Sequence, residues 1–370
     1  MFNLRVVQAK FGDCLIVEYG SKDHKKHMLI DGGPAGVYDE SLRAELAKIK
    51  DEGGQIDLMV LSHIDGDHIV GLIDLLEELK QNAADDGEPL IKVNELWINS
   101  FSQTISRGNN LTKALQNMFR NVNNLASTMP SGNLALQSVK QGDALRRNAK
   151  LLSIPINKFC NEDIISCETI SGCVTVDNLK LTIVGPNKDN LEKLQKEWTA
   201  WIKKNETKVL SADPDVLSQL DKSVPNLSSI MFLMESEGKT ILFTGDGRGD
   251  FILEGLEKAN LLDENGVLHV DVFKVPHHGS VRNSTEDFFD KVQADTYVIS
   301  ADGRHDNPDF ETLSWIVTST HKQRRRIKLL CTNETPSSKK LLKKFPPEEY
   351  GYELEYLPKT NTSIALSFSA

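Results

Sequence analysis

No stretch of the 370-residue chain approaches the roughly 18 consecutive apolar residues that a bilayer crossing needs. Its opening, MFNLRVVQAKFGDCLIV, alternates like a strand and lacks a basic segment followed by a long apolar one. No secretory leader is read there, and a cytoplasmic location is expected. Cysteines are few and unpatterned: Cys14, Cys160, Cys167, Cys173 and Cys331 form an odd set without C-x-x-C spacing, which disfavours a disulfide framework and a thiolate zinc site. Positive charge is also in deficit, with a net charge of −10, so indiscriminate nucleic-acid binding through bulk charge is disfavoured. Phosphate contacts would need a local basic groove. The Arg-rich run Lys322-Gln323-Arg324-Arg325-Arg326 is the clearest candidate, and its plainer reading is a solvated face. Repeats and low-complexity tracts are absent. What is present is an apolar fraction of 39%, ample for the core of a globular enzyme.

Short strands are predicted at Asn3 to Ala9, Cys14 to Tyr19 and His27 to Ile30, the last ending in Asp31-Gly32-Gly33-Pro34. Helical spacing over Glu40 to Lys50 breaks at Gly53-Gly54, and Ile56 to Leu61 is apolar enough for a strand buried on both faces. Ile69 to Lys80 reads as an amphipathic helix. Between Asp85 and Pro225 the pattern loosens to a strand at Leu96 to Ser100, a polar helix at Leu111 to Thr128, a strand at Leu179 to Val184 and a helix at Leu191 to Lys204. Regular strands return at Ser229 to Glu235, Thr240 to Thr244, Val270 to Val275 and Thr296 to Ser300, with helices at Phe251 to Ala259 and Thr285 to Val292. Two helix-covered sheets in one domain, with residues 100–225 as a partly helical insertion, account for this order.

Four segments share one design, a buried strand whose C-terminal end delivers polar side chains: LMVLSHIDGDH, TILFTGDGRGD, DVFKVPHHGS and, more weakly, TYVISADGRHDNP. Strand-end loops are where α/β proteins place their sites. His63, Asp65, Asp67 and His68 stand at i, i+2, i+4 and i+5, with Gly66 supplying backbone freedom, which suits two adjacent cations. Imidazole and carboxylate ligands fit Zn²⁺, Mn²⁺ or Fe²⁺. Asp246, between Gly245 and Gly247, is the natural bridging anion, and His277-His278 can close a shell. The plainer readings are an Asp that merely caps a helix, a turn aspartate and a packed His pair.

Asp31-Gly32-Gly33, SHIDGDHIVGL, FTGDG and KVPHHGS, in this order, resemble the metallo-β-lactamase fold, and within it the ComEC-like hydrolase branch named for the competence DNA-uptake protein. The resemblance spans about residues 3 to 310, with Asp85 to Pro225 largely unmatched. It implies an αββα sandwich of two mixed β-sheets flanked by helices, with a dinuclear centre at one edge of the sheets. Where the family reads H-x-H-x-D-H, this chain has Asp65 in the second place, as the branch does, which hardens the site toward Mn²⁺ as a rival to Zn²⁺. The family's histidine ahead of the bridging aspartate is missing, replaced by Asn226, Ser228 and Ser229 in PNLSSIMF. One shell is thus short of a ligand, to be filled by His277 or His305 or else to bind its metal weakly, while His278 matches the family's P-G-H-G ending as the last ligand.

The implied metal set is His63, Asp65, Asp67, His68, Asp246 and His278, and the candidate catalytic residues are Asp67, His277 and His305, the two histidines as acids for the leaving group. Two bridged cations would lower the pKa of a shared water and stabilise oxygen charge, an arrangement that suits a phosphodiester of DNA or another nucleotide. Asn226, Ser228, Lys274 and Arg248 are weaker substrate-binding candidates, and Lys274, Arg248, Arg282 and Arg304 would form an anion funnel at the rim. The alternatives are ester, lactone or amide hydrolysis on the same fold, or a non-enzymatic metal domain that docks a protein partner through Trp198 and Trp201. No membrane partner is expected.

Overall fold

The computed structural model describes residues 1–99, 134–193 apart from Glu162, Ser171 and Asp177, the isolated Lys196 and Ala200, and 228–368. β1 (Phe2–Val7), β2 (Leu15–Gly20), β3 (Lys25–Ile30), β4 (Leu58–Val60) and β5 (Leu96–Trp97) join β14 (Ser363–Ser367) in a six-stranded sheet, ordered β14-β1-β2-β3-β4-β5. It is antiparallel from β14 to β3 and parallel from β3 to β5. β6 (Cys173–Val176), β7 (Leu179–Gly185), β8 (Met231–Ser236), β9 (Lys239–Phe243), β10 (Leu268–Lys274), β11 (Val292–Ile299), β12 (Ile327–Cys331) and β13 (Tyr352–Tyr356) make an eight-stranded sheet in sequence order. Its parallel part runs from β9 to β13.

Side chains alternate across each strand, so each sheet has two apolar faces. Leu4, Val6, Met28 and Ile30 from the first sheet pack with Leu181, Phe232, Met234 and Val272 from the second. On the outer side of the first sheet, Leu29 and Met59 meet Leu46 of α1 (Arg43–Asp51) and Leu72 and Leu76 of α2 (Gly66–Ala84). On the outer side of the second, Phe273 and Leu329 meet Leu256, Phe288, Leu313 and Leu341, from the helices Gly249–Lys258, Glu286–Lys291, Phe310–Lys322 and Pro336–Lys344. The layers are therefore αββα. Each fully buried Leu or Ile contributes roughly 1.5–3 kcal/mol relative to exposure.

The strand expected over Ile56 to Leu61 is only Leu58–Val60, because Ile56 makes an isolated bridge to Val93 and the chain leaves the ladder toward Ser62. The helix expected over Leu111 to Thr128 lies outside the described residues, as do Trp198 and Trp201; helix is described at 188–193. Within 100–225, the helix Leu134–Leu151 packs on α2 through Leu145 and Ala149, and β6 and β7 extend the second sheet. Tight packing places the start of α2 against the end of β3. A Cβ on Gly71 would lie 2.0 Å from the Gly32 oxygen, while Gly32 N–H donates to His68 O at 2.7 Å.

Candidate metal centre

Ends of β3, β4, β9 and β10 meet at one place. Asp31, in the left-handed region just after β3 (φ 57°), is the hub: it accepts the Ser62 N–H and the Ser62 hydroxyl, both at 2.7 Å, and lies 2.8 Å from His68 Nδ1. Ser62 has given its one proton to Asp31, so it accepts from His63 Nδ1 at 3.0 Å. His278 Nδ1 is 3.0 Å from the Ser300 carbonyl, and His277 Nδ1 is 2.7 Å from Asn283 Oδ1. In all four rings Nδ1 is spent on the protein, which leaves each Nε2 for the centre.

The two Asp246 oxygens divide these rings into pairs. Oδ1 faces His68 Nε2 at 3.3 Å and His278 Nε2 at 3.8 Å, whereas Oδ2 faces His63 Nε2 at 3.5 Å and His277 Nε2 at 3.6 Å. Asp67 Oδ2 lies 3.2 Å from His278 Nε2, and Asp65 Oδ2 lies 3.6 Å from His63 Nε2. Asp67, His68, Asp246 and His278 bring one ligand atom each within 4.8 Å of one another, and His63, Asp65 and Asp67 do the same. Nε2 of His63, His68 and His278 and Oδ1 of Asp246 are buried without a hydrogen-bond partner. Buried polar atoms are ordinarily satisfied, so a convergence of orphaned imidazole and carboxylate atoms fits a divalent cation. A third group, Asp13, Asp31 and His68, is also close. It already has its cation, because the Lys274 ammonium lies 2.7 Å from Asp13 Oδ2.

Charge in the centre is strongly coupled to protons. Burial alone would lower the His278 imidazolium, but the Asp13 and Asp246 carboxylates and contacts with Asp13 and Asp67 outweigh it and push it up to about 10. His68 is likewise raised, against burial, by Asp246, Asp31 and Asp67. Burial would raise Asp246, yet the four imidazoles hold it well below the usual carboxylate range. Asp65 is raised to about 6 by burial, reinforced by Asp67 and Asp246 over the opposing His63. A histidine whose folded pKa is raised stabilises the fold fully below its unfolded value of about 6.5 and ceases to as pH climbs through the folded value. Metal-free protein is therefore expected to lose roughly 5 °C of Tm between about pH 6.5 and 9, and excess Mn²⁺ or Zn²⁺ should abolish the loss by replacing those protons. Thermal melts followed by circular dichroism check this; a flat metal-free profile would contradict it.

His63, Asp65, Asp67, His68, Asp246, His277 and His278 are thus brought together, with Asp65, Asp67 and His277 partly exposed and the others buried. His305 is exposed, edge-on to Phe11 at 6.2 Å, and belongs to none of the ligand groups among the described residues. Ser228 is buried near Asn99, and Asn226 lies outside the described residues. The anion funnel needs correction. Lys274 is 1% exposed and donates to Asp13 and to the Val275 carbonyl, because it ends a strand covered on both faces and finds its counter-ion inside. Arg248 is exposed but clamped by Asp250. Arg304 lies over the Phe11 ring at 4.0 Å and 3.8 Å from an Asp302 oxygen, so the exposed Arg282 alone of the four has no acidic partner among the described residues. The sequence assigned no role to the residues that aim the imidazoles and carboxylates, Asp13, Asp31, Ser62, Asn283 and Ser300, although Asp31 and Ser62 stand in its motifs. Asn283, for example, also donates to the Asp246 carbonyl at 2.8 Å.

Residues 8–84, which carry Asp31 and the His63-to-His68 cluster, match the metallo-beta-lactamase superfamily. The two mixed sheets between helices are the fold of that superfamily. Over 116 residues the chain is 30% identical to ComE operon protein 3 of Bacillus subtilis (strain 168), a match covering 31% of this chain and 13% of that protein. Two solved structures are similar at low identity. One is a diphosphatase of the PhnP family, with 11% identity, 99% and 98% of the two chains covered and a TM-score of 0.39. The other is a beta-lactamase domain protein from Burkholderia ambifaria, with 10% identity, 69% and 60% covered and a TM-score of 0.29. Superfamily and His/Asp cluster together support a metal-dependent hydrolase. Among the described residues no helix is long and apolar enough to cross a membrane.

Proposed function

We propose that this chain is a dinuclear metal-dependent phosphodiesterase, with DNA or another nucleotide as substrate and water as nucleophile. The observation that carries the reading is Asp246, whose two oxygens each face a pair of imidazole Nε2 atoms. Asp67, His68 and His278 with Asp246 Oδ1 would hold one cation, and His63 and Asp65 with Asp246 Oδ2 the other. Bound there, divalent ions supply Lewis acidity to a phosphoryl oxygen and lower the pKa of a water. A carboxylate at Asp65 in place of an imidazole makes Mn²⁺ as suitable as Zn²⁺.

The chain's own groups would do the rest. Asp31 and Ser62 hold His68 and His63 with Nε2 inward, and Ser300 does so for His278. His277, at 29% exposure, sits at the open side with Nδ1 anchored on Asn283, so its Nε2 is the group placed to give a proton to the departing oxygen. A phosphodiester fits best because two non-bridging oxygens can be met at once, and the exposed Arg282 has no acidic partner among the described residues. Protein loaded with Mn²⁺ or Zn²⁺ is expected to turn over bis-p-nitrophenyl phosphate and single-stranded DNA, to stop in EDTA, and to leave a lactone and a chromogenic β-lactam untouched. Turnover of the lactone alone would overturn the substrate assignment.

A further inference from the structure

We propose that the exposed lysine face of the helix Pro336–Lys344, continued by Arg304 on the Phe11 ring, is a binding track for single-stranded nucleic acid leading to the metal centre. The proposal rests on the phosphodiesterase reading and names its substrate as a polymer. In a chain of net charge −10, residues 322–344 hold nine Lys and Arg and one acidic residue, Glu334. Part of that charge is absorbed: Lys322 pairs with Glu286, Arg325 with Asp295, and Lys328 with Glu353 and Glu355. The helix is different. Leu341 is fully buried and turns the opposite face outward, so Lys339, Lys340, Lys343 and Lys344 are all exposed. Only Lys339 has an acidic partner among the described residues, Glu334 at 2.7 Å. Lys339 with Lys343 and Lys340 with Lys344 stand at i, i+4, where like charges repel. A polyanion relieves that repulsion.

Chain contacts connect this face to the centre along two routes. Pro336 lies 3.5 Å from where a Cβ on Gly303 would stand, and the next residue, Arg304, caps the Phe11 ring with Asp302 at the long distance of 3.8 Å from its guanidinium. Phe11 adjoins Gly12, which is so close to Asp67 that a Cβ would lie 1.9 Å from its carbonyl oxygen. By the second route, Lys340 and Lys344 lie 3.9 and 5.4 Å from the Phe310 ring centroid. The preceding Asp309 donates its N–H to Gly279 O and accepts from Val281 N–H, on the loop of His277 and His278. Two cation-capped rings, Phe11 and Phe310, thus lie along the segments that join the helix to the loops of the centre, a combination of charge and aromatic side chains of the kind that single strands use. A lipid surface fits less well, because the apolar side of the helix is buried and only Leu342 shows, at 36%.

Binding of a fluorescein-labelled 30-nucleotide single strand to the full chain, measured by anisotropy in EDTA across a salt series, tests the track. Lys340→Gln/Lys343→Gln/Lys344→Gln is expected to weaken binding at least tenfold and to flatten the log–log salt slope by about 2, on the order of 0.7 per lysine removed. Arg304→Gln should flatten it by about 0.7, and a control pair beside β5, Lys92→Gln/Lys158→Gln, by nothing. Unchanged affinity and slope in the triple variant would overturn the track, as would loss of binding to phosphatidylserine vesicles without loss of oligonucleotide binding. Bis-p-nitrophenyl phosphate turnover, run in parallel on wild type and triple variant, keeps the two ideas apart. No turnover in either, with strand binding present in the wild type and weakened in the triple variant, sinks the phosphodiesterase and spares the track; equal turnover with equal strand binding does the reverse.

Discussion

Asp246→Asn is expected to cut phosphodiester hydrolysis on the order of a thousandfold and to leave at most one bound cation per chain. Asparagine keeps the shape but offers one oxygen where Asp246 offers two, and its amide nitrogen would point at a cation. The oxygens serve different rings, His68 and His278 on one side and His63 and His277 on the other, so one substitution strikes both halves. Elemental analysis after dialysis and a bis-p-nitrophenyl phosphate assay read the two effects. Metal-free Asp246→Asn loses the anion that raises His68 and His278, so at neutral pH it should stay folded but melt a few degrees below the metal-free wild type. Full metal content with full turnover would remove Asp246 from the bridging role.

Lys274→Met should destabilise the fold by about 3–5 kcal/mol, a drop in Tm of about 5 °C for a chain of this length, because it leaves the buried Asp13 carboxylate without its counter-charge. Asp13 is held well below the usual carboxylate range despite burial, chiefly by Lys274 and His278, which is the signature of an anion dependent on its partners. Its Oδ1 also lies 3.4 Å from His278 Nδ1, so the pair steadies a ligand. Metal affinity should accordingly fall by roughly 10–100-fold in the single variant. Asp13→Asn combined with Lys274→Met restores neutrality and should recover most of the lost stability. Denaturant melts of the three variants report the coupling, and a single variant as stable as wild type would show that the pair carries no load.

The His/Asp cluster was legible because residue type and position agree: imidazoles and carboxylates crowded after a strand apolar on both faces have few other reasons to be there. The layers were legible for a similar reason, since strands such as Thr240 to Thr244 and Val270 to Val275 are short, apolar and bounded by glycine or proline, close to β9 and β10 as observed. The helix Leu134–Leu151 escaped notice because LALQSVKQGDALRRNAKL is polar, with Gly142 inside it. β14 escaped because SIALS is short, half exposed and stabilised by β1, more than 350 residues away in sequence. Lys274 was misjudged for a related reason. A lysine at a strand end ordinarily reaches solvent, and only a carboxylate from the far sheet keeps it inside.

Local chemistry along the chain determined the kind of protein: a double-sheet scaffold with histidines and aspartates at strand ends, suited to hard or borderline divalent ions. It could do so because backbone periodicity and ligand type are properties of neighbouring residues. Which ring nitrogen faces inward, which histidine shares which Asp246 oxygen, and whether Lys274 is a rim cation or a buried counter-ion were decided only in three dimensions. Those outcomes depend on Asp13, Asp31, Asn283 and Ser300 approaching within about 3 Å of groups tens of residues away, and such distances are set by the packing of the two sheets.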